Sequence, residues 1–202
     1  MATKDEILSR LLKEENYVSG EELARQTGVS RAAVWKAIKS LKKSGYDIEG
    51  VTKCGYKLKQ NNSLVTAEGV KALLEKDIEV THFDTVDSTN TYCKRLLADG
   101  KQGEFLVTAA KQTAGRGRQG KSFYSPSETG IYFSLVIRPD TSLQNAVTAT
   151  TAAAVAVCKA IEKTTDLKPK IKWVNDVYLN GKKVCGILTE ATTDFESGTV
   201  DS

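Results

Sequence analysis

At 202 residues the chain has room for one large domain or two small ones, and 40% hydrophobic residues suffice for a packed core. The formal net charge is +4, and the whole excess lies in residues 1–60, where 12 Lys and Arg face 8 Asp and Glu. No apolar run could span a bilayer and the charged N-terminus has no signal-peptide core, so a cytoplasmic protein without a membrane partner is expected, its basic front end facing a polyanion.

"KDEILSRLLKEEN" places Ile7, Leu8, Leu11 and Leu12 on one side of an amphipathic helix. Ser19 caps a second, short helix that Gly28 ends. Ser30 caps a third, with Ala33, Val34, Ala37, Ile38 and Leu41 as its buried stripe and Gly45 as its stop. Two helices joined by a tight glycine turn form a helix-turn-helix pattern. The third helix carries Arg31, Lys36, Lys39, Lys42 and Lys43 with no acid before Ser44, and its small, polar first turn suits close approach to base edges. "YDIEGVTKCGYKLK" reads as two short strands around a turn containing Lys53, which adds a wing. The plainer alternative is a helical cap with a solvated basic face. Charge asymmetry, turn glycine and wing together favour a winged helix-turn-helix over residues 1–60, contacting DNA through Ser30, Arg31, Lys36, Lys39 and Lys53. Residues 61–65 are polar and read as a linker.

From residue 66 the pattern changes. Thr66 caps a short helix; "IEVTHFDTV" alternates as a strand; Ser88 caps a helix with Tyr92, Leu96 and Leu97 on one face and Gly100 as its stop. "GEFLVTAAKQ" and "TGIYFSLVIRP" are strands, the latter ended by Pro139, and "LQNAVTATTAAAVAVCKAIEK" is a long Ala-rich helix laid against the sheet. Asn180-Gly181 is a two-residue hairpin signal, giving strands near 170–174, 177–180 and 183–190. The expected class is α+β with a mixed or antiparallel sheet over residues 66–202. Cys54, Cys93, Cys158 and Cys185 lack close pairing and His82 is the only histidine, so the cysteines are expected to be mostly buried thiols and no protein cluster for a metal is expected.

"QTAGRGRQGKSFYSP", residues 112–126, spells G-x-G-x-x-G and, from Gly115, also G-x-x-x-x-G-K-S. Both nucleotide readings require a helix to open at the last glycine. Pro126 and the β-prone Phe123 and Tyr124 argue against one. The loop instead offers Gly115 and Gly117 for φ > 0 and close approach, Arg116 and Arg118 as forked cationic donors, and successive N–H groups for an anion. A flexible basic surface loop is the alternative. "DSTN" at 87–90 gathers short polar side chains at a helix start, where a simple cap would also use them. "KWVND" at 172–176 sets a cation and a carboxylate at a strand end, which could be a surface pair. Of Lys182 and Lys183, one must turn inward on the pleat, and an inward lysine beside an apolar run needs an anion.

Together, D-S-T-N at 87–90, Q-x-x-G-R-G-R-x-G at 112–120, S-P-x-x-x-G-I-Y at 125–132, K-W-x-N-D at 172–176 and K-x-x-G-I-L at 183–188 resemble the biotin–protein ligases. With the winged helix in front, the resemblance is to the bifunctional type that also represses biotin synthesis genes. It implies a catalytic domain like that of class II aminoacyl-tRNA synthetases, with biotin, ATP and Mg2+ as ligands. Biotinyl-5′-AMP would form first, and the biotinyl group would then pass to a lysine of the biotin carboxyl carrier protein of acetyl-CoA carboxylase. Operator DNA and, when liganded, a second copy would be partners. By position, Ser88, Thr89, Asn90, Gln112, Arg116, Gly117, Arg118, Lys183 and Gly186 would bind biotin, with Lys183 and Arg118 catalytic. Gly115, Arg116, Arg118, Lys172, Asn175 and Asp176 would serve ATP, Asp176 also the metal. Val174 stands where the family usually has proline, and Phe123 where tryptophan is common. The family's sheet continues further, into a small C-terminal β-barrel that this chain is expected to lack, so a biotin-sensing DNA-binding regulator without complete ligase activity is the alternative function.

Overall fold

Three short helices close the first core. The computed structural model describes residues 3–59, 65–127, 129–138 and 143–192, except the side chains of 143–147. Residues 60–64 of the expected linker region, Pro139 and the last ten residues, where the expected truncation falls, lie outside the described residues. Helices α1 (Thr3–Lys13), α2 (Gly20–Thr27) and α3 (Arg31–Lys43) meet through Ile7, Leu8, Leu11, Leu23, Val34, Ala37, Ile38 and Leu41, all buried. The caps sit where the sequence puts them. Ser19 Oγ accepts from Glu22 N–H, Gly28 takes φ 67° at the end of α2, and Ser30 Oγ accepts from Ala33 N–H. The antiparallel hairpin β1 (Ile48–Val51) and β2 (Gly55–Leu58) follows.

Helix α4 (Ala67–Leu73) adds Ala72 to this same core, packs on α1, and also touches β3 (Glu79–Phe83). Lys4 pairs with Glu68 at 3.0 Å, Ser9 Oγ donates to Ala72 O at 3.0 Å, and the Tyr46 and Thr66 hydroxyls are hydrogen-bonded.

Beyond it, β3 pairs in parallel with β4 (Phe105–Ala109) through the crossover helix α5 (Thr89–Ala98), and β4 pairs antiparallel with β5 (Tyr132–Val136). Cys93, Phe105, Val107 and Val136 form the core between α5 and this sheet. The long helix α6 (Leu143–Thr164) packs instead on β6 (Lys170–Lys172) and β7 (Asp176–Leu179). These strands, with β8 (Lys182–Gly186), form a second, antiparallel sheet. Among the described residues the expected single sheet is two three-stranded ones, one mixed and one antiparallel. Hairpin signals predict neighbours, and they do not say which sheet a hairpin joins. Asn180 and Gly181 both take positive φ, 49° and 76°, as a two-residue hairpin of this type requires. Among the described residues no helix is long and apolar enough to cross a membrane. The cysteines differ from expectation: only Cys93 is buried, its thiol pushed up to about 11 by that burial, and Cys54 is exposed at the wing tip.

The wing is pinned to the helices by Tyr56, whose N–H and C=O bond Val18 O and N–H at 2.8 and 2.9 Å. Gly55 makes that approach feasible: it takes φ 112°, and a Cβ there would lie 2.1 Å from Val18 O. Gly55→Ala is expected to destabilise the N-terminal unit by about 3 kcal/mol or more, because backbone strain and a backbone clash coincide. Urea unfolding followed by circular dichroism measures it.

Candidate functional site

The segments after β3 and β4 run side by side. Val86 bridges Gln112 in parallel, Thr113 N–H bonds Val86 O at 3.0 Å, and Ala114 N–H bonds Asp87 O at 2.7 Å. This brings the 87–90 motif against the start of the glycine loop. Ser88, buried, caps α5 through Thr91 N–H, so the cap reading of that residue holds. Its neighbours form a buried polar cluster. Gln112 Oε1 accepts from Thr89 N–H at 2.8 Å and from the Thr89 hydroxyl at 3.1 Å, while Gln112 Nε2 donates to Ser125 Oγ at 2.9 Å. The Ser134 hydroxyl, on β5, donates to Thr89 Oγ1 at 2.8 Å and also meets Asn90 Oδ1. Each partner satisfies another, as a buried network must if it is not to cost about 1–3 kcal/mol per orphaned group.

The glycine loop folds back on itself. Gly117 N–H bonds Lys121 O at 2.7 Å, Phe123 N–H bonds Gly115 O at 2.8 Å, and Arg116 bridges Ser122. Arg118–Gly120 is one turn of 3-10 helix, and no longer helix follows, so the two nucleotide-loop readings fail as expected. The roles of the glycines are not those expected. Positive φ falls on Gln119 (56°) and Gly120 (72°), and Gly117 is extended at −111°. Gly115 is required by packing: a Cβ would lie 2.4 Å from Phe123 O and 2.7 Å from Ser125 Oγ.

From this loop the two arginines reach in different directions. Arg118 Nη1 donates to Asn175 Oδ1 at 2.9 Å, and Asn175 Nδ2 donates to Asp176 Oδ1 at 3.1 Å and to Ile187 O at 3.2 Å. Asp176 Oδ1 also lies 2.8 Å from Lys183 Nζ, but Lys182 and Lys183 are both exposed, so the inward-turned lysine expected from the pleat is not found: β8 lies open to solvent at this end, and the pair is a partly exposed one. Lys183 Nζ stands 5.8 Å over the Phe123 ring, and both lie on Gly186, where a Cβ would come within 2.9 Å of Lys183 Nζ and 3.0 Å of Phe123. A side chain at Gly186 would therefore have to displace the end of the Lys183 side chain and crowd the Phe123 ring. Lys172 sits opposite Asp176 in the β6–β7 register, but its exposed ammonium lies 5.4 Å over Tyr178.

Arg116 lies 3.3 Å from Glu190 Oε1, which also receives Lys94 Nζ at 2.6 Å, and Asn90 Nδ2 donates to Glu190 Oε2 at 3.1 Å. Burial alone would raise the Glu190 pKa. The bonds from Lys94 and Asn90 and the charge of Arg116 outweigh it and hold the carboxyl below its ordinary value. Ser125, Ser134, Lys94 and Glu190 carry no site role in the sequence reading. Ser134 had a signal, a polar residue at an inward position of an apolar alternating strand. Glu190 had none, because its partners lie 74 to 100 positions away.

The basic face of α3 is a second candidate site. Ser30, Arg31, Lys36 and Lys39 are exposed, and Lys53 is exposed at the wing tip with φ 70°. At 3.6 residues per turn, Arg31, Lys36, Lys39, Lys42 and Lys43 fall on one arc opposite the buried stripe. Trp35 lies within that arc, about half exposed, with Lys39 Nζ 5.2 Å from its ring.

Residues 82–200 match the Biotin/lipoate A/B protein ligase family, and residues 3–57 match an HTH domain family. The bifunctional ligase/repressor BirA of Bacillus subtilis (strain 168) is 38% identical over 177 residues, covering 86% of this chain and 54% of that protein. The bifunctional ligase/repressor BirA of Escherichia coli (strain K12) is 32% identical over 185 residues, covering 92% of this chain and 57% of that one. The structure of biotin protein ligase from Aquifex aeolicus in complex with biotin and ATP aligns with a TM-score of 0.47 at 32% identity, covering 57% of this chain and 47% of that one. The chain thus spans about half the length of the curated relatives it matches.

Asp87 fixes the entrance to α5. Arg95 grips its carboxylate with two bonds of 2.6 and 3.0 Å and Ser88 N–H adds a third, holding its pKa down at about 2. A depressed carboxyl contributes stability above its unfolded pKa of about 3.9 and loses it as pH falls through its folded value. Asp87→Asn should therefore lower the urea midpoint at neutral pH, and the difference from wild type should vanish towards about pH 2. Paired unfolding curves across that range measure it.

Proposed function

The chain belongs to the biotin/lipoate A/B protein ligase family, and from that premise we propose that it is a biotin–protein ligase and a biotin-responsive DNA-binding repressor. The observation that carries the ligase reading is the row Arg118–Asn175–Asp176–Lys183, linked by hydrogen bonds and set over Gly186 and Phe123. Joining a carboxylate to a nucleotide brings two anions together. That chemistry calls for fixed cations and amide donors, and it needs no protein nucleophile.

In the proposed reaction a biotin carboxylate oxygen bonds to the α-phosphorus of ATP and pyrophosphate leaves. The amine of an acceptor lysine then bonds to the acyl carbon of biotinyl-5′-AMP, loses a proton, and releases AMP. Thr89, Asn90 and Gln112 would hold the polar end of biotin, with Ser88 setting the start of the helix that carries Thr89 and Asn90. Arg116, Gly117 and Arg118 would face the carboxylate and the adenylate. Lys183 would balance charge at the reacting oxygens and Gly186 would leave room for the ligand. Gly115, Lys172, Asn175 and Asp176 would serve the nucleotide. The described residues hold no group of three or more potential ligands for a metal. Asp176 spends one oxygen on Lys183 and Asn175, so it fits a Mg2+ that arrives on the nucleotide and keeps mostly phosphate and water ligands. Bound there, Mg2+ would neutralise phosphate charge.

The fold we infer for the second half is that of class II aminoacyl-tRNA synthetase catalytic domains. The acceptor proposed is the biotin carboxyl carrier protein of acetyl-CoA carboxylase, the compartment is the cytoplasm, and a liganded homodimer would bind the operator. The exposed basic arc of α3 and Lys53 of the wing support DNA binding.

Incubation with biotin, Mg·ATP and a purified carrier domain should label the carrier. Lys183→Ala is expected to abolish detectable adenylate while leaving the unfolding free energy within about 0.5 kcal/mol of wild type, as for a surface position. Biotin binding without adenylate in the wild type would leave a biotin-sensing regulator as the better description. Lys39→Ala should weaken DNA binding about equally for all duplexes and reduce the log–log salt slope by about 1. Electrophoretic mobility shifts across a salt series measure it.

A further inference from the structure

Trp35 is the one large apolar side chain on the exposed face of α3. It is 54% exposed and lies in the cationic arc of that helix. A single exposed apolar residue is ordinary on a protein surface. The position of this one is not. Residues three and four apart share a helix face, so Trp35 stands beside Arg31 and Ala32 on one side and Lys39 on the other, and all four are exposed. Helical side chains lean towards the N-terminus. Lys39 follows that rule, with its ammonium 5.2 Å from the Trp35 ring centroid. The same lean directs the indole towards the turn of Arg31 and Ala32, the first of the helix, which in a helix-turn-helix meets base edges.

The hydrogen-bonding inventory of this helix is narrow. Its polar side chains are Arg31, Lys36, Lys39, Ser40, Lys42 and Lys43. None is an amide that could read adenine, and none is an acid that could read cytosine. Ser30 Oγ, at the cap, already accepts from Ala33 N–H at 3.2 Å. The cations can read guanine and hold phosphates. What remains is Ala32 and Trp35. Apolar surface in a major groove has one specific partner, the C5-methyl group of thymine. Ala32 is small enough to let base edges come close, and the indole supplies the contact area.

Resting on the DNA-binding reading above, we propose that Trp35 is a specificity-determining residue: with Ala32 it reads the C5-methyl group of a thymine in the major groove, while the surrounding cations hold phosphate.

The test starts with the full chain, with biotin and Mg·ATP present, enriching binding sequences from a random duplex pool. The enriched duplex is then made twice, once with thymine and once with 2′-deoxyuridine, which lacks only the methyl group. In mobility shifts the wild type should bind the thymine form about fourfold tighter per methyl contacted, as burial of a CH2-sized group gives. Trp35→Ala should lose that difference, keep the wild-type salt slope because phosphate contacts remain, and no longer enrich thymine at a fixed position. Trp35→Gln, a good helix former at an exposed position, should lose it too, and serves where Trp35→Ala fails to fold. Equal discrimination in the wild type and both variants overturns the assignment. So does an equal weakening of both duplexes, the result expected of a residue that only positions the helix or touches the backbone. If the wild-type chain enriches and shifts no duplex, the DNA-binding reading itself has failed. Binding by the wild type with no thymine preference would leave that reading standing and overturn only the role of Trp35.

Discussion

Arg118 donates to Asn175 across 57 positions of sequence, and with that bond one sheet reaches the other. Among the described residues the two three-stranded sheets of the second half share no strand, and no ladder of backbone bonds runs between them. Their connection passes through Arg118–Asn175, Arg116–Glu190 and Asn90 with Leu188 O and Glu190. The arginines and asparagines among these are side chains whose chemistry suits an anion. The site is therefore part of what holds the two halves together. Each of these bonds is weaker than a strand pairing and more easily exchanged for a bond to another polar group.

Two kinds of polar group share the work. Thr89, Ser125 and Ser134, all buried, are bonded through the half-buried Gln112 in one cluster, where a lost partner would leave a buried hydroxyl orphaned. They behave as scaffold. The charged groups nearer the surface, Arg116, Arg118 and Lys183, are paired with protein anions or amides that a ligand's own oxygens could replace. Rigid neutral groups for shape and exchangeable charged groups for chemistry are a division that suits a reaction whose ligand changes charge during turnover.

The local signals in the sequence translated well. Ser19, Ser30, Thr66 and Ser88 cap the helices they were expected to cap, and Asn180-Gly181 turns the expected hairpin. Caps and tight turns are decided by residues a few positions apart, so a linear reading captures them. The loop was legible as an anion-binding candidate because its residue types are unusual, and its glycines were misassigned because their demands are set elsewhere. Gly115 answers to Ser125 and Phe123, and the positive φ falls on Gln119. Glu190 and the division into two sheets were not legible for the same reason, since both depend on partners brought together only by the finished fold. The 183–188 resemblance pointed to Lys183, but the pleat argument for an inward lysine failed, because the start of β8 is exposed. Only coordinates could say that its partner is Asp176.

Helix α4 alters where the chain can be divided. The helix-turn-helix family match ends at residue 57, yet the first core continues to Ala72, and Thr66 supplies the partner of the Tyr46 hydroxyl. A fragment cut in the polar stretch between them would bare the face of α1 that α4 covers and strip Lys4 of Glu68. The shortest piece that keeps the helix-turn-helix unit intact therefore runs through Leu73. Because α4 also touches β3, that piece ends on a surface belonging to its neighbour. The two units are better pictured as sharing a wall than as beads on a string.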